Sequence, residues 1–191
     1  MRKLFALLTI GIFAFMTSTA SAQTPDPENV LVLELKDGLV YIETLPDVAP
    51  NHVRRIKQLA RQGFYDGIVF HRVMDGFMAQ TGDPTGTGRG GSGRNIRAEF
   101  SEISFDRGIL GMARSQSEDS ADSQFFIMFA PGTFLNGKYT VWGRVVQGME
   151  FVDLIKKAPA GSQSGQVDGP DKMISMKVLA DIEDITKEYI K

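Results

Sequence analysis

The sequence contains no cysteine and only two histidines, His52 and His71. Disulfide bonds and thiol nucleophiles are therefore excluded, and the fold has to be stabilised by packing alone. Zinc sites are built largely from cysteine and histidine, and this chain lacks the residues to form one. A serine hydrolase would need one of the two histidines and a G-x-S-x-G motif, which is absent. We expect structural roles for both histidines and no metal site.

The chain also lacks an excess of positive charge, with 21 lysine and arginine residues against 23 aspartate and glutamate residues. Nucleic-acid-binding surfaces need clustered lysine and arginine, so no nucleic-acid partner is expected. Internal repeats and low-complexity linkers are absent. The length of 191 residues therefore suits a single domain with a sizeable core.

The long hydrophobic run of the sequence lies at its N-terminus, from Leu4 to Met16, after Arg2 and Lys3. Small residues ending in Ala20-Ser21-Ala22 follow, the pattern of a secretory signal peptide cleaved before Gln23. A membrane anchor is the alternative, but the run is shorter than the ~20 apolar residues that a spanning helix needs. We expect a periplasmic or secreted protein that has no transmembrane segment after cleavage. Loss of the leader would leave 19 basic against 23 acidic residues, a net charge near −4.

The remaining chain has the pattern of a β-rich domain. Residues 30–35 and 39–44 alternate around Asp37-Gly38 and predict a hairpin, and Pro50 with the apolar stripe that ends before Gly63 predicts a helix. Further strands are predicted over residues 108–113, 124–129, 139–146 and 173–179, and a second helix over residues 149–156. Without a βαβ rhythm, the pattern favours an antiparallel barrel. The predicted divisions are residues 1–22 (signal peptide), 23–29 (N-terminal extension), 30–185 (folded domain) and 186–191 (tail).

A central hairpin is predicted around Asp75-Gly76, and each of its strands carries one polar residue among apolar ones, Arg72 and Gln80. Side chains alternate along a strand, so a two-residue turn would place these two on opposite faces. A three-residue loop with positive φ at Gly76 would pair them directly, on the same face as Met78. We expect the three-residue loop or a bulge. From the residues alone, Arg72 could serve a binding site or a structural ion pair.

Two apparent nucleotide motifs are treated as coincidences. Gly86, Gly88 and Gly91 fit G-x-G-x-x-G, but no apolar helix follows them. Residues 132–139 approach a P-loop, but Tyr139 stands where serine or threonine must bind magnesium. No nucleotide cofactor is expected. Adjacent Phe125 and Phe126 must face opposite sides of a strand, so one of them has to line a covered surface or a pocket.

Three blocks of sequence resemble the cyclophilin-type peptidyl-prolyl cis-trans isomerases. They read FHRVMDGFMAQTGD (Phe70–Asp83), SQFFIMFA (Ser123–Ala130) and FLNGKYTVWGRV (Phe134–Val145). The resemblance extends over residues 30–182. It implies a closed eight-stranded antiparallel barrel capped by two helices, and catalysis of rotation about X-Pro bonds without a cofactor or a covalent intermediate. The alternative is a proline-binding chaperone or scaffold in which turnover is incidental.

The resemblance also implies the site residues. Arg72 would be the catalytic arginine, assisted by Gln80. The substrate-binding residues would be Phe77, Met78, Ala113, Arg114, Gln124, Phe126, Phe134, Leu135 and Tyr139.

Two positions depart from the pattern of the better-known eukaryotic members. Phe134 stands where cyclosporin-sensitive members have tryptophan, and Tyr139 where they have histidine. We expect Phe134 to weaken cyclosporin binding more than catalysis. Proline-containing polypeptides are the expected substrates of a monomeric enzyme.

Overall fold

The computed structural model describes residues 26–182, which form one eight-stranded sheet with two α-helices. The predicted signal peptide, the start of the N-terminal extension and the C-terminal tail lie outside the described residues. The strands are β1 (Val30–Leu35), β2 (Gly38–Thr44), β3 (Arg72–Met74), β4 (Met78–Thr81), β5 (Ile109–Met112), β6 (Phe125–Met128), β7 (Val141–Gln147) and β8 (Ser175–Val178). The helices are α1 (Pro50–Arg61) and α2 (Met149–Asp153).

All neighbouring strands are antiparallel, in the order β3-β4-β6-β5-β7-β2-β1-β8. The predicted antiparallel architecture with two helices is therefore confirmed. The predicted closed barrel is wrong, because β3 and β8 share no ladder within residues 26–182 and the sheet forms a curled half-barrel. Isolated bridges from Val69 to Lys172 and from Arg72 to Gln166 cross this gap. The physical reason is that β3 has only three residues, and it lies beside the loop that precedes β8.

Helix α1 begins at Pro50, as predicted, and Gly63 takes a φ of +66° just beyond its last turn. Its N-cap residue, Ala49, offers no side-chain acceptor. The Glu99 carboxylate instead accepts from the backbone N–H groups of Asn51 and His52, each at 3.1 Å. A carboxylate at this end also interacts favourably with the helix dipole. The helix is thus capped by a loop that is distant in sequence.

Helix α2 is shorter than predicted, because it ends at Asp153. Its N-cap is Gly148, with a φ of +85°, and a Cβ there would lie 2.3 Å from the Leu39 carbonyl oxygen. Only glycine allows β7 to turn so closely past β2.

The apolar side chains form two main groups. The larger one joins α1 to the sheet and includes Phe125 and Trp142, whose rings meet edge to face with centroids 5.5 Å apart. A smaller group contains Met78, Phe126 and Leu135. Alternation along β6 thus sends Phe125 into the main core and Phe126 into the smaller group, which lies under the pocket described next.

Candidate active site

The β3–β4 hairpin pairs Arg72 with Gln80 and Met74 with Met78. Three residues, Asp75 to Phe77, connect the strands, and Gly76 has a φ of +67°. The predicted three-residue loop is confirmed. Arg72 Nη1 donates to Gln80 Oε1 at 3.2 Å, so the paired side chains meet on one face of the hairpin.

Arg72 is held by uncharged acceptors. Its Nε donates to the Ser164 carbonyl oxygen at 3.0 Å, and its Nη2 lies 3.1 Å from Met74 Sδ. Within residues 26–182 it forms no ion pair with a carboxylate, so the structural ion pair considered above is not formed. Burial lowers the pKa of Arg72, an effect that Tyr139 opposes, but an arginine keeps its charge at any physiological pH. Nη1 donates to Gln80 and also lies 4.0 Å from Met78 Sδ, whereas Nη2 has only Met74 Sδ as a partner among the described residues. One hydrogen of Nη2 is therefore available to a bound molecule.

A cavity of about 260 Å³ opens beside the guanidinium. Ten of the eleven predicted site residues line it: Arg72, Phe77, Met78, Gln80, Ala113, Arg114, Phe126, Phe134, Leu135 and Tyr139. The lining contains no carboxylate, histidine or serine. Among residues 26–182, no group of three or more histidine and acidic side chains could hold a metal ion.

The aromatic side chains set the floor and the rim of this cavity. The Phe126 ring stacks on Phe105 with centroids 5.7 Å apart and meets Tyr139 edge to face at 6.0 Å. Phe134 is 63% exposed at the rim, with its ring centroid 5.5 Å from that of Phe77. The floor is therefore formed by buried, packed aromatic rings, whereas the Phe134 ring is exposed to solvent.

The eleventh predicted residue, Gln124, does not line this cavity, but it positions Gln80. It accepts from Gln80 Nε2 at 2.9 Å, and its own Nε2 donates to the carbonyl oxygens of Gly88 and Gly90 at 3.1 and 2.8 Å. Its side chain lines a neighbouring cavity of about 430 Å³. Gln124 therefore links the arginine, through Gln80, to the glycine-rich loop.

Buried Asp83 organises that loop. Its carboxylate accepts from the backbone N–H of Thr85 at 2.7 Å and of Gly88 at 2.6 Å, and from Thr85 Oγ1 at 2.8 Å. Burial alone would raise the pKa of Asp83, but the hydrogen bonds from Thr85, Gly90 and Gly88 outweigh it and lower the pKa to about 2. Of the glycines in the false dinucleotide motif, Gly88 thus donates to a side-chain carboxylate of the same chain, and Gly86 donates to the Asp83 backbone carbonyl.

The two histidines lie outside the cavity. Buried His52 has its Nδ1 2.6 Å from Glu99 Oε2, at the start of α1. His71 is buried beneath the glycine-rich loop, where a Cβ added to Gly88 would lie 3.4 Å from its ring. Neither histidine lines the cavity, and their structural roles stay a prediction.

Several contributors to the site were missed in the sequence. Gly111 lies under the pocket floor, where a Cβ would lie 2.4 Å from Phe126 Cζ and 2.5 Å from Phe105 Cε1. Gly165 makes room for Met74, because its Cβ would lie 2.5 Å from Met74 Cγ. Met74 could have been found, since it lies two residues from Arg72 on the same strand face. No pattern in the sequence pointed to Ser164 and Gly165, because they belong to a loop that is distant in sequence and reaches β3 only in the folded chain.

Fold and cavity together define a class: a β half-barrel with a pocket of apolar, aromatic and amide side chains, two arginines, and no carboxylate, histidine or serine in its lining. The family model described as cyclophilin type peptidyl-prolyl cis-trans isomerase/CLD matches residues 30–178. The chain belongs to this family.

Relatives agree with this assignment. A probable peptidyl-prolyl cis-trans isomerase of Brucella abortus is 50% identical over 188 residues, covering 92% of this chain and 93% of that protein. Peptidyl-prolyl cis-trans isomerase B of Bacillus subtilis is 44% identical over 120 residues, covering 61% and 83%.

Solved structures are similar as well. A cyclophilin from Hirschia baltica has a TM-score of 0.73 and 27% identity, covering 85% of this chain and 78% of that one. A cyclophilin type isomerase of Cryptosporidium parvum, crystallised in the presence of the dipeptide Ala-Pro, has a TM-score of 0.71 and 28% identity, covering 78% and 98%. The protein is thus a cyclophilin-type peptidyl-prolyl cis-trans isomerase.

Replacement of Asp83 by asparagine should destabilise the domain by about 3 kcal/mol, because the amide would point an N–H₂ group at backbone donors. The folded-state pKa of Asp83 lies below the unfolded value of 3.8, so its stabilisation is present above pH 3.8 and is lost as the pH falls towards about 2. Urea unfolding from pH 7 to pH 2.5 should therefore show the difference between Asp83→Asn and the parent shrinking with acidity. Asp75→Asn, in the exposed hairpin loop, is the control. A difference independent of pH would contradict this account of Asp83.

Proposed function

We propose that Arg72 accelerates X-Pro rotation by binding the twisted imide more tightly than the planar one. The planar bond is held by amide resonance, with a barrier of ~18 to 20 kcal/mol. Twisting restores a lone pair to the proline nitrogen, which can then accept a hydrogen bond. Only interactions that are stronger in the transition state raise the rate. The guanidinium is suited to this, because neutral acceptors hold it beside the cavity and leave one N–H of Nη2 free.

The required stabilisation is small. Uncatalysed isomerisation takes tens to hundreds of seconds, and a turnover of ~10 per second requires about three decades, or ~4 kcal/mol. A charge-assisted hydrogen bond from Arg72 supplies roughly 1.5 to 3 kcal/mol. The apolar floor of Met78, Phe126 and Leu135 supplies the remainder, since it grips the proline ring and disfavours the charge-separated planar amide.

The other residues divide into two roles. Gln80, held by Gln124, fixes the guanidinium or contacts the substrate carbonyl. Phe77, Phe134 and Tyr139 form the walls and rim, and Ala113 and Arg114 provide backbone along the groove. The Arg114 guanidinium lies 4.6 Å from the centre of the Tyr139 ring and donates to the Lys138 carbonyl oxygen, which keeps it at the side of the groove. No step requires a cofactor or a covalent intermediate.

We further propose that the enzyme acts as a monomer on proline-containing exported polypeptides, in the periplasm or outside the cell, and assists their folding. The N-terminal sequence pattern supports export. None of the helices within residues 26–182 has the length and apolar character to cross a bilayer.

Arg72→Ala should lower kcat/KM by tenfold or more, the loss of about 1.4 kcal/mol of transition-state stabilisation, with the fold intact. A protease-coupled assay with a proline tetrapeptide measures the rate, and circular dichroism monitors the fold. Arg144→Ala is the matched control. Arg144 lies on β7, where it pairs with Glu43 of β2, and it does not line the cavity. Equal rates for Arg72→Ala and the parent would refute the role of Arg72 and favour a proline-binding scaffold.

Phe134→Trp should tighten cyclosporin binding about fivefold, because the indole adds an N–H donor at the exposed rim and a neutral hydrogen bond contributes ~1 kcal/mol. Isothermal titration calorimetry on the parent and the variant measures the change, and kcat/KM should alter by less than about twofold. Weaker binding by the variant would show that the missing N–H group is not what limits affinity.

Export predicts a mature protein that begins at Gln23. Expression of the whole chain in a Gram-negative host, followed by fractionation and intact-mass measurement, tests this. Ala22→Arg should leave the leader attached, because a bulky cation blocks small-residue cleavage sites. Full-length parent protein confined to the cytoplasm would contradict the proposed localisation.

A further inference from the structure

A second pocket, of about 250 Å³, lies between α1 and the chain that follows the glycine-rich loop. Four arginines are the charged residues of its lining, which comprises Asn51, Arg54, Arg55, Gln58, Arg94, Asn95, Ile96 and Arg97. This concentration is unusual, because the chain as a whole carries a net charge of −2. We name these four arginines the arginine cluster.

The arginine cluster is poorly neutralised. Within residues 26–182, Arg54, Arg55 and Arg94 form no ion pair, and Arg97 reaches a carboxylate of Asp119 only at 4.0 Å. Five basic side chains elsewhere are paired closely with carboxylates, at 2.6 to 2.9 Å: Lys36, Lys57, Arg61, Arg107 and Arg144. Other basic residues, among them Arg72, Arg89 and Arg114, also form no ion pair within residues 26–182. The cluster is distinguished by having four arginines, and no carboxylate, in the lining of one pocket.

The donors of the cluster are only partly used, and their partners are neutral. Arg54 donates to Asn51, and Arg55 donates to Gln58 Oε1 at 3.3 Å and to Ser92 Oγ at 2.6 Å. The Arg55 Nε atom is buried with no hydrogen-bond partner. Planar guanidinium groups bind carboxylates through paired hydrogen bonds. The cluster thus retains the donors that such an acceptor needs.

Three carboxylates lie near the cluster, but none lines the pocket. Glu99 is turned to the start of α1, as described above. Asp119 accepts from the backbone N–H of Ala98 at 2.9 Å, and Asp122 from those of Gly93 and Arg94 at 2.8 and 3.2 Å. They lower the local positive charge, and each uses at least one carboxylate oxygen to accept from a backbone N–H group.

The pocket is continuous with the proposed active site. Asn95 lines both this pocket and the cavity of about 430 Å³ beside Gln124. That cavity shares Gln80, Ala113 and Arg114 with the proline pocket. Its other charged lining residues are Arg89 and Asp122, and the Asp122 carboxylate accepts from the backbone N–H groups of Gly93 and Arg94. One surface therefore runs from Arg72 to the arginine cluster, and an extended polypeptide bound at its proline can follow it.

We propose that the arginine cluster binds an acidic segment of the substrate polypeptide. This segment would lie a fixed number of residues from the proline and on one side of it. This inference rests on the proposed function, since the polypeptide has to be held in the proline pocket. Continuity of the surface favours a polypeptide over a membrane or a free anion. The cluster would raise affinity for acidic substrates without altering the rotation step, because it lies away from the reacting bond.

The test uses the mature enzyme and a series of proline peptides, in which three adjacent aspartates are moved stepwise along a neutral sequence on either side of the proline. KM should fall about tenfold when the aspartates lie at one particular distance from the proline and on one side of it, and kcat should stay unchanged. This size of effect is expected because each exposed ion pair contributes up to ~1 kcal/mol. Sodium chloride at ~0.5 M should remove the effect by screening.

Arg54→Gln/Arg94→Gln should abolish this dependence on offset and leave turnover of the neutral peptide unchanged. These two are chosen because Arg55 also holds Ser92 of the loop. The matched control is Arg61→Gln/Arg144→Gln, which removes the same charge elsewhere and should retain the dependence.

Three outcomes would overturn the inference. One is a KM that does not vary with the position of the aspartates while the neutral peptide turns over normally. That result would contradict the role of the cluster but not the isomerase function. Another is binding of the parent, but not of the double variant, to phosphatidylglycerol vesicles without any preference for acidic peptides. Absence of turnover with every peptide would overturn the proposed function itself, and the inference with it.

Discussion

The register of the β3–β4 hairpin is the constraint on which the site depends. Because side chains alternate along a strand, a slip of one residue would move Gln80 to the opposite face from Arg72. The three-residue loop with Gly76 in the left-handed region fixes the register and brings guanidinium and amide together. Hydrogen bonds through Gln124 to the glycine-rich loop then extend this arrangement across β6.

The partners of Arg72 explain how a charged group can be both half-buried and available. A carboxylate would have fixed the guanidinium strongly and compensated its charge. The Ser164 carbonyl, the Gln80 amide and the Met74 thioether position it without neutralising it. The arrangement carries a desolvation cost, seen in the lowered pKa of Arg72. Such a guanidinium is suited to interact with charge that develops during a reaction.

Two acidic side chains near the site serve as acceptors for backbone N–H groups. Asp83 and Glu99 each bind backbone N–H groups, one within the glycine-rich loop and the other at the start of α1. Their charges are used in building the loops, which leaves the surface between those loops rich in unpaired arginine. The binding of backbone N–H groups by these carboxylates therefore stabilises the loops around the site and leaves the arginines nearby without a close acidic partner.

The sequence by itself determined the antiparallel β class, the hairpin register, the start of α1 and the composition of the cavity. These follow from local rules, such as alternation, turn chemistry and proline at a first helical position, and from a resemblance carried by contiguous blocks. Gln124 was placed in the site by that resemblance, but only the structure gave it a position behind Gln80.

Other features were decided by tertiary structure alone. The open edge between β3 and β8, the support of Arg72 by Ser164 and Gly165, the capping of α1 by Glu99 and the gathering of four arginines all join segments distant in sequence. A pattern along one segment cannot encode which other segment will lie against it, because that depends on how the whole sheet curls.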